Sequence, residues 1–256
     1  AKAKPAADDV PRVADFPDVA LAAEVGQAVF APSRASLDEV KKNPKYRSPR
    51  YWQATVTEVG PATSKVKATV GRPEAIPNTY MIPIPKAEAV AVGDVVLSSK
   101  FGNDMALAVV TEGGAAPKAE FVESMPYDKA FNAALKPGRY LKLDGTLKPG
   151  APVALKEGSG RSFATVVSMA GDKLFLAGFM GKVKLATKAD VVPLELKPDV
   201  KKGDEIMARS SSGSFRKAKV VSVDAAQFNV RVKWVGAAAG DVAIVPLVHV
   251  TKRPLD

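Results

Sequence analysis

Six cations, Arg34, Lys41, Lys42, Lys45, Arg47 and Arg50, crowd residues 33–50 against two carboxylates, Asp38 and Glu39. Tyr46, Tyr51 and Trp52 are interleaved with them, and Tyr80 adds a fourth ring nearby, enough for an exposed aromatic patch. Cations neutralise phosphates and carboxylates while ring faces stack on bases, so this mixture suits single-stranded nucleic acid or an acidic peptide. The alternative is a solvated, variable loop whose charges do nothing specific. A second basic set, Arg216, Lys217, Lys219, Arg231 and Lys233, lies near the end of the chain. There Arg231 and Lys233 alternate with Val230, Val232 and Trp234, so period two turns the cations to water and the apolar set to a core.

Chemistry of other kinds finds few residues to work with. His249 is the sole histidine and has no serine or carboxylate partner in motif context, which makes a structural or surface role the expectation. There is no cysteine, hence no disulfide, thiolate metal site or cysteine nucleophile. Phosphate-loop, nucleophile-elbow and zinc-protease motifs are absent, and the carboxylates are scattered. We therefore expect no catalytic residue, no cofactor and no metal, and read the protein as a non-enzyme.

The formal net charge of +10 is unevenly distributed. Residues 25–91 and 200–256 each carry ten cations against five acids, whereas residues 92–149 balance seven against seven. Basic ends favour anionic partners, whether nucleic acid, acidic polysaccharide, phospholipid headgroups or acidic proteins. No apolar run approaches the ~18 residues of a membrane-crossing helix.

The elements that must position these residues are strands. Segments such as 54–59, 166–168, 174–176 and 229–235 are rich in β-branched and aromatic residues, with turn residues every 8 to 12 positions. A pattern of opening Gly, aromatic and closing Pro recurs: Gly150, Phe163 and Pro193; Gly203, Phe215 and Pro246; Gly26, Trp52 and Pro83. Gly and Pro are 43 residues apart in the first two cases and 57 in the third, the difference falling in residues 33–50. A fourth, diverged unit opens at Gly93 and lacks both the aromatic and the closing Val-Pro-Leu. A period above ~40 residues marks a repeat array. Lys65 to Val70 and Lys182 to Leu185 also alternate. Within residues 33–50, the capping-box spacing of Ser36 and Glu39 predicts a short helix through Leu37 to Lys42, ending before Pro44.

The last unit resembles the Tudor and agenet branch of the SH3-like barrels through Gly203, Asp204, Ala208, Gly213, Phe215, Val220, Val221, Val232, Val245, Pro246 and Leu247. The third matches through Gly150, Phe163, Ala164, Val166, Val192, Pro193 and Leu194. The likeness implies an all-β chain of four tandem SH3-like small barrels. It also implies that the loop corresponding to residues 33–50 contacts partners. Readers of this type hold methylated Lys or Arg in an aromatic cage. Here Phe163, Phe175 and Phe179 are the rings that could gather in the third unit, and Phe215 and Trp234 in the fourth. Core filling is the simpler reading of all of them.

The expected organisation is an N-terminal linker or arm (1–24), a first barrel (25–91) with the basic insertion 33–50, a diverged second (92–149), a third (150–199) and a fourth (200–256). Units so small bury little surface alone, so neighbours should touch. The Ala-, Pro- and Asp-rich start resembles a chain left by signal-peptide cleavage, giving an extracytoplasmic expectation, periplasmic or secreted, over a cytoplasmic one. The functional expectation is a non-catalytic scaffold that engages a protein partner or anionic polymer in a bacterial envelope or extracellular assembly. The alternative is an intracellular binder of nucleic acid or chromatin.

Overall fold

The structure, a computed structural model, describes residues 15–42, 49–100, 104–122, 132–236 and 242–255. It is all-β, with four five-stranded antiparallel sheets, each drawn from one continuous stretch of chain. The first comprises β1 (Ala28–Pro32), β2 (Tyr51–Glu58), β3 (Thr63–Ala68), β4 (Glu74–Pro77) and β5 (Ile82–Pro83). The second contains β6 (Val95–Lys100), β7 (Asp104–Glu112), β8 (Lys118–Phe121), β9 (Asn132–Ala134) and β10 (Leu141–Lys142). In the third lie β11 (Pro152–Glu157), β12 (Gly160–Ala170), β13 (Lys173–Gly178), β14 (Val183–Thr187) and β15 (Val191–Pro193). The fourth has β16 (Glu205–Arg209), β17 (Phe215–Asp224), β18 (Asn229–Trp234), β19 (Val242–Pro246) and β20 (Val250–Thr251). In every sheet the order is fourth, third, second, first, fifth strand.

One small device is common to all four. An opening glycine at positive φ, Gly26, Gly93, Gly150 or Gly203, takes a backbone conformation that a side chain would oppose. Its N–H donates to the carbonyl of Val56, Val110, Val166 or Val220. Three residues after each glycine, Val29, Val96, Val153 and Ile206 stand opposite Ala54, Ala108, Ala164 and Ala218 across the first strand pair. All eight side chains are buried. The small alanine leaves room for core residues from the other strands, which fits close packing. Two residues on, the register shifts at a β-bulge in each second strand, at Val56, Val110, Val166 and Val220. Such bulges bend and twist a strand.

Two features of the expected repeat are corrected by this register. Trp52 pairs with Ala31, Phe163 with Ala154 and Phe215 with Arg209, three different offsets from the opening glycine, so the aromatics are not equivalent. The equal spacing from glycine to Pro193 and Pro246 is also accidental: Pro193 ends the fifth strand of its sheet, whereas Pro246 ends the fourth. The residues that actually correspond on the fifth strands are Ile82, Leu141, Val192 and Thr251.

Helix α1 (Arg34–Lys42) starts earlier than expected, because Ser33 is the cap: its hydroxyl accepts the Ser36 N–H at 3.1 Å. Ser36 instead accepts the Arg50 N–H at 3.1 Å, tying both ends of the insertion together. The alternation expected from Lys65 to Val70 holds only as far as Ala68, where β3 ends, since Val70 is exposed, and Leu185 on β14 is exposed as well.

The largest buried cluster draws on all four units, from Phe30 and Leu37 through Leu97, Val109 and Phe175 to Val248 in the turn before β20. Residues 15–24 form no strand, yet Phe16 and Leu21 join this cluster. Phe175 receives Phe16 at 5.9 Å and the edge of Tyr80 at 4.9 Å between ring centroids. The third and fourth sheets are joined through a bridge between Ser162 and Ser214, with the Phe163 N–H donating to the Gly213 carbonyl at 2.9 Å. Asp94 links the second unit to Lys197 at 3.1 Å. Burial alone would raise its carboxyl, but hydrogen bonds from Lys142, the Ala91 N–H and Lys197, with the Lys142 charge, hold it at about 2. The neighbours therefore touch through apolar and polar contacts. Among the described residues no helix is long and apolar enough to cross a membrane.

Candidate anion-binding surfaces

Two cations of the basic insertion are paired with carboxylates beside them. Arg34 Nε donates to Asp38 at 3.0 Å, and the Arg34 N–H to Glu74 at 2.8 Å. Lys42 pairs with Glu39 at 3.3 Å, and Lys41 is also engaged within the molecule. Lys45, Tyr46 and Arg47 lie outside the described residues. Arg50 is exposed, and Trp52 is half-buried.

Among the described residues the expected rings do not form an exposed patch. Tyr51 and Tyr80 are both buried. Strand pairing puts Tyr51, Gln53 and Thr55 on one side of β2, and the second unit covers that side: Gln53 Nε2 donates to the Arg139 carbonyl at 2.6 Å. The Tyr51 hydroxyl has no hydrogen-bond partner among the described residues, and its pKa is raised well above the usual tyrosine range by burial and then by Tyr80.

The second basic set fares differently. Arg216, Lys217, Lys219, Arg231 and Lys233 are all exposed; period two accounts for Lys217, Lys219, Arg231 and Lys233, whereas Arg216 shares the phase of buried Ala218, and Val230, Val232 and Trp234 are buried. Lys219 and Lys233 are direct cross-strand partners. Like charges opposite one another destabilise a sheet. Lys233 in turn faces Val242, and Arg231 faces Ile244, so two exposed aliphatic side chains border the cations on the same side. None of the four cations Lys217, Lys219, Arg231 and Lys233 forms an ion pair with a described residue. Arg216 lies over the Trp234 ring at 5.2 Å.

The rings that could have built a cage are occupied. Phe175 is buried against Phe16 and Tyr80, while Phe163 and Phe179 hold the guanidinium of Arg209 at 4.5 and 5.5 Å from their centroids. Phe215 and Trp234 are buried. Arg209 Nη1 is 2.9 Å from His249 Nε2, and the His249 ring stands edge-on to Phe163 at 5.2 Å. Burial, then the Arg209 charge, holds His249 well below the usual histidine range, so it is a neutral acceptor for that guanidinium. Arg209 went unmarked by any motif. Its partners come from two sheets, and no local spacing signals that. Beside it a cleft of about 490 Å³ opens among all four units. Among the described residues no cluster of three or more His, Asp or Glu is placed to hold a metal.

The chain matches no protein-family model and no curated protein sequence.

Proposed function

We propose that the protein is a non-catalytic binding or scaffold protein of four tandem SH3-like barrels, whose last unit presents a face for an anionic polymer. The barrel reading is supported by strand order. In each sheet the fifth strand returns to the edge of the first, in three of them directly after a single 3₁₀ turn, at Asn78–Tyr80, Lys188–Asp190 and Leu247–His249. With a bulge bending each second strand, the sheet curls toward the closed shape that protects edges in small barrels.

The observation that carries the functional reading is Lys219 facing Lys233 with Lys217 and Arg231 beside them; Glu205 stands opposite Lys219 on β16, yet none of the four cations forms an ion pair with a described residue. This arrangement opposes folding slightly and favours a ligand that brings negative charge. The cations of the insertion, by contrast, already have carboxylate partners at Arg34 and Lys42. The face lacks an exposed ring, which favours recognition of charge over base stacking.

The test is fluorescence anisotropy with labelled heparin and with an oligo-dT strand over a salt series. Affinity should fall with salt, and Lys219→Gln with Lys233→Gln should flatten the log–log slope by about one per lost contact. Lys41→Gln with Lys42→Gln should leave it unchanged. The reverse pattern would move the contact to the insertion. If the parent bound neither polymer, the charge would be a solubility feature and the reading would be lost.

A further inference from the structure

The cleft beside Arg209 is built by all four units: Tyr51 from the first, Leu97 and Met105 from the second, Phe179 from the third and Arg209 from the fourth, with Arg50 at its rim. Its volume of about 490 Å³ lies within the range of small-molecule sites. Among the described residues no Asp, Glu or Lys lines it, and two guanidinium groups stand over its apolar walls. Arg50 forms no ion pair with a described residue. Arg209 is held in place by the Phe163 and Phe179 rings and by His249.

A second observation points to the same place. Among the described residues, the buried side-chain polar atoms without a hydrogen-bond partner are the Tyr51 hydroxyl and the Ser99 hydroxyl. Tyr51 is a wall of the cleft. Ser99 is the cross-strand partner of Met105, another wall, and lies two residues from Leu97 on the same side of β6. An unpaired buried hydroxyl is unfavourable, and such groups are rare enough to require a reason. Two of them flanking one cleft mark a place where a ligand completes the structure.

We propose that this cleft binds a small organic anion, one carboxylate or sulfonate on an aromatic or branched apolar body. Arg50 and Arg209 meet the charge, and Phe179, Met105 and Leu97 enclose the body. A cationic ligand would find no counter-charge among the described lining residues. A neutral apolar one would desolvate guanidinium groups without compensation. A bare inorganic anion would leave the apolar walls uncovered. This site is separate from the polymer face of the fourth sheet, which lies on β17 and β18 and contributes no residue to the cleft.

The experiment titrates the native full chain with 8-anilinonaphthalene-1-sulfonate and, in parallel, with its uncharged counterpart N-phenyl-1-naphthylamine, reading fluorescence and stoichiometry. The expected result is one sulfonate site per chain, with the uncharged probe bound about tenfold or more weaker. Arg50→Gln, at an exposed position, should weaken the sulfonate about tenfold, the size of a lost charge-assisted hydrogen bond, with the melting temperature unchanged. Met105→Trp, which fills the cleft, should abolish binding. Lys219→Gln with Lys233→Gln should leave it intact, which separates this site from the polymer face. The proposal is overturned if the parent does not bind, if both probes bind equally, if Arg50→Gln binds as the parent does, or if the lysine pair proves to be the site.

Discussion

The guanidinium of Arg209, at the end of the first strand of the fourth sheet, lies 4.5 Å from the ring centroid of Phe163 on the second strand of the third. Arg209 is thereby a clasp between two units: its charge sits against rings supplied by one sheet, while its Nη1 reaches His249 Nε2 at 2.9 Å in its own. The bridge from Ser162 to Ser214 runs alongside.

Removing the clasp should loosen the pair of units together. For Arg209→Met the cation–ring contact, worth roughly 0.5 to 2 kcal/mol, is lost. The buried His249 nitrogen also loses its donor, a further cost of about 1 to 3 kcal/mol. Urea unfolding should report a loss of about 2 kcal/mol or more. Arg209→Lys should recover only part of it, since an ammonium cannot stack flat and donate sideways at once. Full recovery by lysine would mean that charge alone matters there.

His249 should make stability depend on pH. Its folded-state pKa is depressed below the ordinary value near 6.5, mainly by burial, so the unfolded chain binds the proton first as pH falls. Stability is then complete above about pH 6.5 and declines below it, with a limiting slope of about 1.4 kcal/mol per pH unit. Asp94, held at about 2, protonates far below this window. Urea midpoints from pH 7.5 to 5.5 should fall for the parent and flatten for His249→Gln. Parallel curves would place the titrating group elsewhere.

Gly213 should tolerate no side chain. Its φ is +85°, which opposes any L residue, and a Cβ there would lie 2.3 Å from Cγ of Phe179. Gly213→Ala therefore combines about 1 kcal/mol of backbone strain with displacement of the Phe179 ring from Arg209. Thermal unfolding should show a larger loss than Gly203→Ala, where φ is also positive but a Cβ meets nothing within 4 Å. Equal losses would show that backbone conformation alone decides both.

Strand content and the repeat were legible because period two and turn residues are local signals. The anchor of the repeat was harder to see. Aromatics draw the eye, yet Trp52, Phe163 and Phe215 occupy three register positions. The conserved geometry belongs to a positive-φ glycine and a buried alanine, at Gly93 and Ala108 as much as at Gly150 and Ala164. For that reason the second unit looked diverged while carrying the same core pairing. Exposure of Arg231 and Lys233 followed from alternation. Burial of Tyr51 did not, because it depends on a neighbouring unit covering the outer side of β2. Likewise, Phe16 and Leu21 sit in a stretch without periodicity and are buried by distant parts of the chain. The cleft needs residues from Arg50 to Arg209 to converge, which spacing cannot reveal.

The opposed lysines set stability against binding, and one substitution separates the two. Lys233 faces Lys219 on one side and Val242 on the other. Lys233→Glu turns a repulsive cross-strand pair into an attractive one, a change of a few tenths of a kcal/mol up to about 1. The melting temperature should therefore rise slightly or hold. Polyanion affinity should drop steeply at low salt, because one contact is lost and a like charge is introduced into the face. Lys233→Gln should fall between parent and Lys233→Glu in both measurements. A substitution that damaged the sheet would lower stability and binding together. Opposite movement of the two is the result that ties the unpaired cations to a ligand, and unchanged heparin affinity in Lys233→Glu would remove this face from consideration.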